Sequence, residues 1–349
     1  MKIIKSDFGK MPDGRCAHLY TLENEGGLKA VISDLGGSIV NLFAPDRDGA
    51  AEDVVLGFRD FDGYLNNPCY FGALIGRNTN RIRDGRIEIS GQVYELEKNN
   101  GRCNLHSGKG CIAYRLFEAK TSEERDSVAL TLSIAVEDFS DGFPGNLDIQ
   151  VIYTIDKENS LRIEYQAVSD KDTIINLTNH SYFNLAGHAN GPIYEQILRL
   201  DSDYYSPNNS EVLPTGELLS VEGTPFDFRS GKTFGSDIRS DYTQIKMFSG
   251  YDHNFALNGR GWRIVGEASD PASGRVMEIW TDQPGVQLYT TNVFVAQFAL
   301  KGDANYASHQ AFCLETQTFP GAAELPWLTS PIYKAGQEYR TSTAFKFKR

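Results

Sequence analysis

Residues 128–168, VALTLSIAVEDFSDGFPGNLDIQVIYTIDKENSLRIEYQAV, decide the fold class of this chain. Apolar residues alternate with mostly small or polar ones, which is the period of a half-buried strand. The alternation runs over Val128–Val136, Leu147–Ile155 and Leu161–Ala167. A polar turn at 157–160 separates the last two runs, so the segment is predicted to form an antiparallel meander.

The rest of the 349 residues extends this β pattern. Gly and Asp-Gly turn signals recur, and no segment keeps a helical period for more than about three turns. One short helix is predicted near Arg59–Leu65. No repeat, low-complexity tract or Pro/Gly/Ser linker divides the sequence. We therefore predict an all-β protein, a large antiparallel sandwich or barrel, folded as a single domain over residues 1–349.

Charge and composition limit the partners. The chain has 46 acidic and 34 basic residues and a net charge of -12, the wrong sign for a surface that neutralises phosphates, so no nucleic acid partner is expected. The first residues lack a signal-peptide core and no later run reaches the length of a membrane span, so no membrane partner is expected either. Five cysteines without a CxxC pair fit a reducing cytoplasm.

Two histidines stand in segments suited to chemistry. His180 lies in NLTNHSYFNL, residues 176–185, where amides, hydroxyls and aromatic rings crowd together as a polyhydroxylated ligand requires. The same composition also suits a hydrogen-bonded core histidine. His106 lies beside a Gly-rich turn, where both catalytic and merely solvated histidines occur. None of the six histidines has metal-ligand spacing to another, so no metal site is expected.

Carboxylates and arginines supply further candidates. Glu315 stands alone in an apolar run, where burial would raise its pKa and make it a general base; the alternative is the wet face of an edge strand. Asp252 and His253 are neighbours on a predicted strand, so at most one of them faces a given pocket. Arg77 and Arg81 can bind sugar hydroxyls or a carboxylate, or form surface ion pairs.

Taken together, these segments resemble the aldose 1-epimerase family. Residues 76–82, GRNTNRI, resemble its GRxxNRI segment, and residues 105–108, LHSG, resemble its LHGG. Residues 176–185 match its NLTNHSYFNL, and residues 250–255 resemble GxDHNF. Further similarity covers 213–216, 224–229, 283–289 and 314–317, in order along the chain.

The resemblance implies a β-sandwich of galactose-mutarotase type that interconverts the α and β anomers of a free aldose such as galactose or glucose. It implies that His180 is the general acid and Glu315 the general base, with His106 close to the ring oxygen. The positions that match sugar contacts are Asn80, Arg81, Asp252 and Gln287. His253 resembles a structural neighbour, and the implied mechanism needs no cofactor or metal.

Some positions depart from the family pattern, and other functions stay open. Ser107 stands where a second Gly is usual, and Thr318 where His is frequent. The alternatives are a non-catalytic carbohydrate-binding protein on the same fold and an epimerase of a different aldose or of a hexose phosphate. A phosphate would need clustered basic side chains, and a glycosidase would need two suitably spaced carboxylates. A monomer or a homodimer is expected.

Overall fold

Strands dominate the computed structural model, which describes residues 1–294, 297–323, 325 and 328–348. In chain order they are β1 Lys2–Lys10, β2 Cys16–Glu23, β3 Lys29–Ser33, β4 Ile39–Pro45, β5 Ala51–Asp53, β6 Leu74–Ile75, β7 Arg81–Ile82, β8 Arg86–Ile89, β9 Gln92–Glu95, β10 Asn104–Leu105, β11 Glu118–Glu123, β12 Ser127–Val136, β13 Leu147–Asp156, β14 Ser160–Ser169, β15 Thr173–Ile174, β16 Thr178–Asn179, β17 Ile197–Leu200, β18 Ser202–Ser206, β19 Leu219–Ser220, β20 Lys232–Thr233, β21 Asp252–Leu257, β22 Arg263–Ser269, β23 Val276–Thr281, β24 Gly285–Tyr289, β25 Cys313–Gln317, β26 Ile332–Tyr333 and β27 Tyr339–Lys348.

Three antiparallel sheets carry the architecture. The first has the order β1-β2-β3-β4-β5, the second β11-β12-β13-β14-β27-β23-β22-β17-β20, and the third β19-β18-β21-β24-β25. The predicted meander is confirmed as β12, β13 and β14 of the second sheet. Its register places Leu130 opposite Tyr153 and Tyr153 opposite Ile163, all three buried. The alternating buried residues of β12, β13 and β14 therefore form part of one face of this nine-stranded sheet.

That face packs against both five-stranded sheets, which makes the fold a β-sandwich. The Tyr153 hydroxyl donates a 2.7 Å hydrogen bond to the Gly37 carbonyl, between β3 and β4. Nearer the middle of the nine-stranded sheet, the hydroxyl groups of Thr343 on β27 and Thr316 on β25 are hydrogen-bonded. Each fully buried Val, Leu, Ile or Phe side chain in this interface contributes about 1.5–3 kcal/mol through removal from water. The predicted all-β class is confirmed.

Helices are short in the described part of the chain. The two α-helices are α1 Phe61–Asn66 and α2 Thr243–Phe248. The 3₁₀ helices are Arg83–Gly85, Gly108–Gly110, Ile112–Tyr114, Phe234–Ser236 and Lys301–Asp303. The helix predicted near Arg59–Leu65 is confirmed as α1, whereas α2, which is equally short, was not predicted. None of the described helices is long and apolar enough to cross a membrane.

The helix α1 leads into a loop that matters for the site. A Cβ atom at Gly63 would lie 2.4 Å from the Phe58 Cβ, so only glycine lets α1 approach so closely. After the helix, the Asn67 side chain accepts a 2.7 Å hydrogen bond from the Phe71 amide and donates one of 3.2 Å to the Phe71 carbonyl. These two bonds close the 67–71 loop into a fixed shape.

Candidate active site

The residues that the sequence singled out meet in a cavity of about 190 Å³. It is lined by Pro68, Cys69, Tyr70, Asn80, Arg81, Leu105, His106, His180, Tyr182, Asp252, Gln287, Tyr289 and Glu315. All seven predicted catalytic and sugar-contacting residues are in this set. The volume is small compared with sites for drug-sized ligands and suits a single monosaccharide.

One wall of the cavity is the sheet formed by β21, β24 and β25. The register places Gln287 directly opposite Glu315, and alternate residues of a strand share a face. Gln287 Nε2 donates a 2.6 Å hydrogen bond to Asp252 Oδ1, which fixes that carboxylate at the end of β21. His253 points to the other face, where its ring packs 4.7 Å from Phe226. Asp252, not its neighbour, therefore faces the cavity.

The opposite wall carries His180. Its amide donates to the Ala73 carbonyl and its carbonyl accepts from the Gly72 amide, both at 2.9 Å, so the backbone is held on both sides. The imidazole Nε2 lies 3.5 Å from Glu315 Oε1. His180 Nδ1 and Glu315 Oε2 are buried without a hydrogen-bond partner among the described residues. The two side chains thus form a close pair with unused hydrogen-bonding capacity.

Burial shifts the pKa values of the two groups of this pair in opposite directions. Desolvation, reinforced by the nearby Asp252 carboxylate, raises the pKa of Glu315 to about 8. Desolvation lowers the pKa of His180 to about 4. Because the groups are close and buried, they titrate as a unit. Between these two values the pair holds one proton, which is what a combined acid and base must carry.

His106 is held in one protonation state by the backbone. The Asn80 amide donates a 3.1 Å hydrogen bond to His106 Nδ1, and the His106 amide donates to the Asn80 carbonyl at 3.1 Å. A ring nitrogen that accepts cannot carry a proton, so the neutral ring has its hydrogen on Nε2. Burial, followed by the influence of His180, holds the pKa of His106 well below its usual range. His106 is therefore a neutral hydrogen-bond donor.

Arg81 supplies the positive charge of the cavity, since no other Arg or Lys is among the lining residues. Its Nε donates a 3.1 Å hydrogen bond to Asn100 Oδ1, outside the cavity. Its charge opposes, without overcoming, the effect of burial on the pKa of both Glu315 and Asp252. The cavity therefore combines two carboxyl groups with one guanidinium.

His106, His180 and Glu315 also come close enough to raise the question of a metal ion. One potential ligand atom from each lies within 4.8 Å of the others, a convergence that sequence spacing could not reveal. A metal-bound histidine normally donates its second ring N–H to an acceptor. His106 does the reverse, because Nδ1 accepts from the Asn80 amide and leaves the proton on Nε2. This arrangement suits a donor to a ligand oxygen rather than a metal ligand.

Arg77 lies away from the cavity. Its guanidinium is buried and donates to Asp141 Oδ2 at 3.1 Å and to the Pro144 carbonyl at 2.7 Å. The sequence left a ligand-binding and a surface ion-pairing interpretation open; the structure shows an ion pair, but a buried one rather than one at the surface. Ser107 and Thr318 are not lining residues either.

The tyrosines of the cavity were not predicted as site residues. Tyr182 and Tyr289 share the walls with the catalytic candidates, and Tyr70 projects from the loop that Asn67 closes. Tyr182 had a signal in the aromatic residues next to His180, whereas Tyr70 had none. A larger cavity of about 560 Å³ lies against strands β11–β14. It contains no histidine and so lacks the acid–base pair of the smaller cavity.

Comparisons with known proteins agree with this fold. A family model described as aldose 1-epimerase matches residues 18–346. Galactose mutarotase of Bos taurus is 37% identical over 349 residues, covering 99% of each chain. Aldose 1-epimerase of Haemophilus influenzae is 36% identical over 341 residues, covering 97% of each chain. The structure of galactose 1-epimerase from Lactobacillus acidophilus NCFM superposes with a TM-score of 0.88 at 26% identity, covering 99% of this chain and 98% of the other.

The fold, the site and these similarities define a sugar isomerase of the racemase and epimerase class. The chain belongs to the aldose 1-epimerase family. Its activity is mutarotation, the interconversion of the α and β anomers of an aldose.

Proposed function

We propose that the substrate is a free aldohexose such as galactose or glucose, with Glu315 as general base and His180 as general acid. The observation that carries this proposal is the 3.5 Å separation of His180 Nε2 and Glu315 Oε1 in a cavity of monosaccharide size. A sugar that places its C1 hydroxyl and its ring oxygen against this pair engages both groups at once.

The reaction opens and recloses the pyranose ring. Glu315 takes the proton of the C1 hydroxyl, the C1 carbonyl forms, and the bond from C1 to the ring oxygen breaks as His180 protonates that oxygen. Rotation about C1–C2 turns the aldehyde, and the reverse transfers close the ring as the other anomer. Each positioned acid or base contributes typically about 10²–10⁴-fold to the rate.

The empty pair holds its proton on Glu315, because burial disfavours the charged form of each group. The reaction starts from the other arrangement, ionised Glu315 beside protonated His180. A bound sugar supports that arrangement, since its C1 hydroxyl donates to the carboxylate and its ring oxygen accepts from the imidazole. The substrate itself thus moves the proton within the pair before the ring opens.

The remaining cavity residues orient the sugar. His106 offers its Nε2 hydrogen to the ring oxygen or an adjacent hydroxyl, and Arg81 offers guanidinium donors. Asp252, held by Gln287, accepts from sugar hydroxyls, and Asn80 supports the loop that holds His106. Such positioning lowers the entropic cost of reaching the reactive geometry.

The charges of the cavity favour a neutral sugar over a hexose phosphate. A phosphate group is bound by clustered Arg and Lys side chains. Here Arg81 is the one guanidinium among the described lining residues and shares the cavity with the Asp252 carboxyl group, so the cavity has no basic cluster for a phosphate. The substrate class we propose is therefore the unphosphorylated aldose.

Polarimetry tests this proposal. The decay of optical rotation of freshly dissolved α-D-galactose and α-D-glucose should accelerate with enzyme, and that of a hexose 6-phosphate much less. Glu315→Gln and His180→Asn should each lower the rate at least about 100-fold, whereas Glu88→Gln on the exposed face of β8 should not. Near-full activity of either site variant would refute its assigned role. Sugar binding without acceleration would instead indicate a carbohydrate-binding protein.

We also propose that the protein works in the cytoplasm, as one domain over residues 1–349. The five cysteines are free thiols, and Cys103, Cys111 and Cys313 are buried, as expected where thiols stay reduced. The nine-stranded sheet supports the domain proposal, because β27 from the end of the chain lies between β14 and β23.

A further inference from the structure

The orientation of the His180 imidazole ring is not fixed by the hydrogen bond that usually fixes it. A catalytic histidine is ordinarily oriented by a hydrogen bond at the ring nitrogen remote from the reaction. His180 Nδ1 is buried and has no hydrogen-bond partner in the part of the chain that the structure describes. Its backbone is fixed through Gly72 and Ala73, so rotation of the side chain is the freedom left to restrain.

Two tyrosine rings lie nearly parallel to this imidazole. The ring of Tyr182 is 4.9 Å from that of His180, centroid to centroid, at an interplanar angle of 16°. The ring of Tyr70 is 6.1 Å away at 19° and also meets His106 edge-on at 5.0 Å. Offset stacking at such distances is favourable beyond the contribution of the area buried.

Tyr182 is itself held firmly. Its ring meets Phe71 edge-on at 4.9 Å and 85°, and its carbonyl accepts a 2.9 Å hydrogen bond from the Leu56 amide. Phe71 belongs to the loop that Asn67 closes. The chain of contacts therefore runs from a fixed loop, through a buried aromatic ring, to the plane of the imidazole.

We propose that Tyr182, assisted by Tyr70, is a positioning residue that sets the plane of the His180 imidazole by stacking, in place of a hydrogen bond at Nδ1. The inference rests on the proposed role of His180 as general acid. A flat ring on its face stops the imidazole from rotating, so that Nε2 stays directed at the sugar. The aromatic ring of Tyr182 matters for this role, and its hydroxyl does not.

The test compares Tyr182→Phe, which keeps the ring, with Tyr182→Leu, which removes it. Tyr182→Leu should lower kcat about 10- to 100-fold, the cost of a misaligned catalytic group. KM should change much less, and the factor should be the same for galactose and glucose, because the defect lies in the acid. Tyr182→Phe should keep most of the activity. Tyr94→Leu, a tyrosine outside the cavity, serves as the matched control, and melting temperatures verify folding.

Some outcomes would overturn the proposal. Equal losses in Tyr182→Phe and Tyr182→Leu would assign the effect to the hydroxyl. A loss that appears mainly in KM, or in one sugar and not its epimer, would make Tyr182 a substrate contact. Should Tyr182→Leu not fold, Tyr70→Leu replaces it, with Tyr70→Phe as its control and a smaller loss of kcat expected. Full activity of His180→Asn would refute the proposed function; full activity of the leucine variants alone would refute only this inference.

Discussion

The His180 imidazole and the Glu315 carboxyl group face each other at 3.5 Å, each desolvated by the same cavity. Burial shifts their pKa values in opposite directions, because it disfavours the charged form of both: it lowers the pKa of the imidazole and raises that of the carboxyl group. The consequence is a pair that keeps one proton across the neutral range. An enzyme that must give and take one proton per ring opening needs this state.

The first prediction concerns the pH dependence of kcat/KM. Above about pH 8 the pair loses its proton and no acid remains; below about pH 4 it gains a second and no base remains. We expect a plateau between these limits and a roughly tenfold fall per pH unit beyond each. Polarimetry in matched buffers, corrected for the uncatalysed reaction, measures it. A single transition near pH 6.5 would show that His180 titrates alone.

The second prediction concerns Arg81→Met. The Arg81 charge lowers the pKa of Glu315 against the larger effect of burial. Removing it should raise that pKa, so the alkaline limb of the pH profile should move to higher pH. KM should increase as well, because the proposed role of Arg81 is to donate hydrogen bonds to the sugar. The conservative Arg81→Lys variant keeps the charge and should leave the limb nearly in place. An unmoved limb in Arg81→Met would contradict the proposed coupling.

The architecture could be predicted from the sequence, and the seven site candidates named from it line one cavity, for different reasons. The alternation in 128–168 is a local property of each strand, so the meander could be predicted from it. The opposed directions of Asp252 and His253 follow from strand geometry in the same way. The roles of His180 and Glu315 came from the family resemblance, because the residues alone also allowed a core histidine and an exposed glutamate.

Other features depend on contacts between distant segments and left no local signal. Tyr70 faces the cavity because Asn67 folds the loop back on Phe71. The donor state of His106 depends on the Asn80 amide, which a different strand end presents. Arg77 carries the same charge as Arg81 and belongs to the same segment, but its side chain is buried and donates a hydrogen bond to the Asp141 carboxylate. Features of this kind can be recognised only in the tertiary structure, where the distant segments are in contact.

The third prediction is that Glu315→Gln stabilises the protein as it inactivates it. In the unfolded chain Glu315 ionises near its ordinary pKa of about 4.3, but in the folded protein only near about 8. Stability associated with the protonated group is complete below the unfolded value and is lost as pH rises through the folded one. The free energy of unfolding of the variant, relative to that of the parent, should therefore rise by on the order of 2–4 kcal/mol from pH 5 to pH 8.

Urea unfolding at both pH values measures this gain. Glu88→Gln, with its exposed side chain, is the matched control and should alter the unfolding free energy little at either pH. If Glu315→Gln were destabilising by the same amount at pH 5 and pH 8, the buried carboxyl group would not be the source of pH dependence.

The fourth prediction assigns Arg77 to stability. Arg77→Met leaves Asp141 buried without its cation and removes the donor to the Pro144 carbonyl, which should cost about 3–5 kcal/mol. The double variant Arg77→Met, Asp141→Leu removes the orphaned charge and should be less destabilised than the single one. Denaturant unfolding measures the free energies of unfolding of these variants and so tests the prediction. Additive effects of the two substitutions would show that the ion pair contributes nothing beyond its separate members.

The fifth prediction addresses Ser107, whose backbone has a φ of 65°, a conformation that glycine adopts more easily. Its hydroxyl accepts a 2.9 Å hydrogen bond from the Asn78 amide and donates one of 3.2 Å to the Asn78 carbonyl, which ties the two loops together. Ser107→Ala loses both bonds and keeps the strain, whereas Ser107→Gly loses the bonds but relieves about 1 kcal/mol of it. The alanine variant should therefore be the less stable of the two in thermal unfolding.

Because Ser107 is not a lining residue, both variants should keep the galactose-to-glucose ratio of kcat/KM within about twofold. A changed ratio would mean that this loop, and not the lining residues alone, selects the sugar.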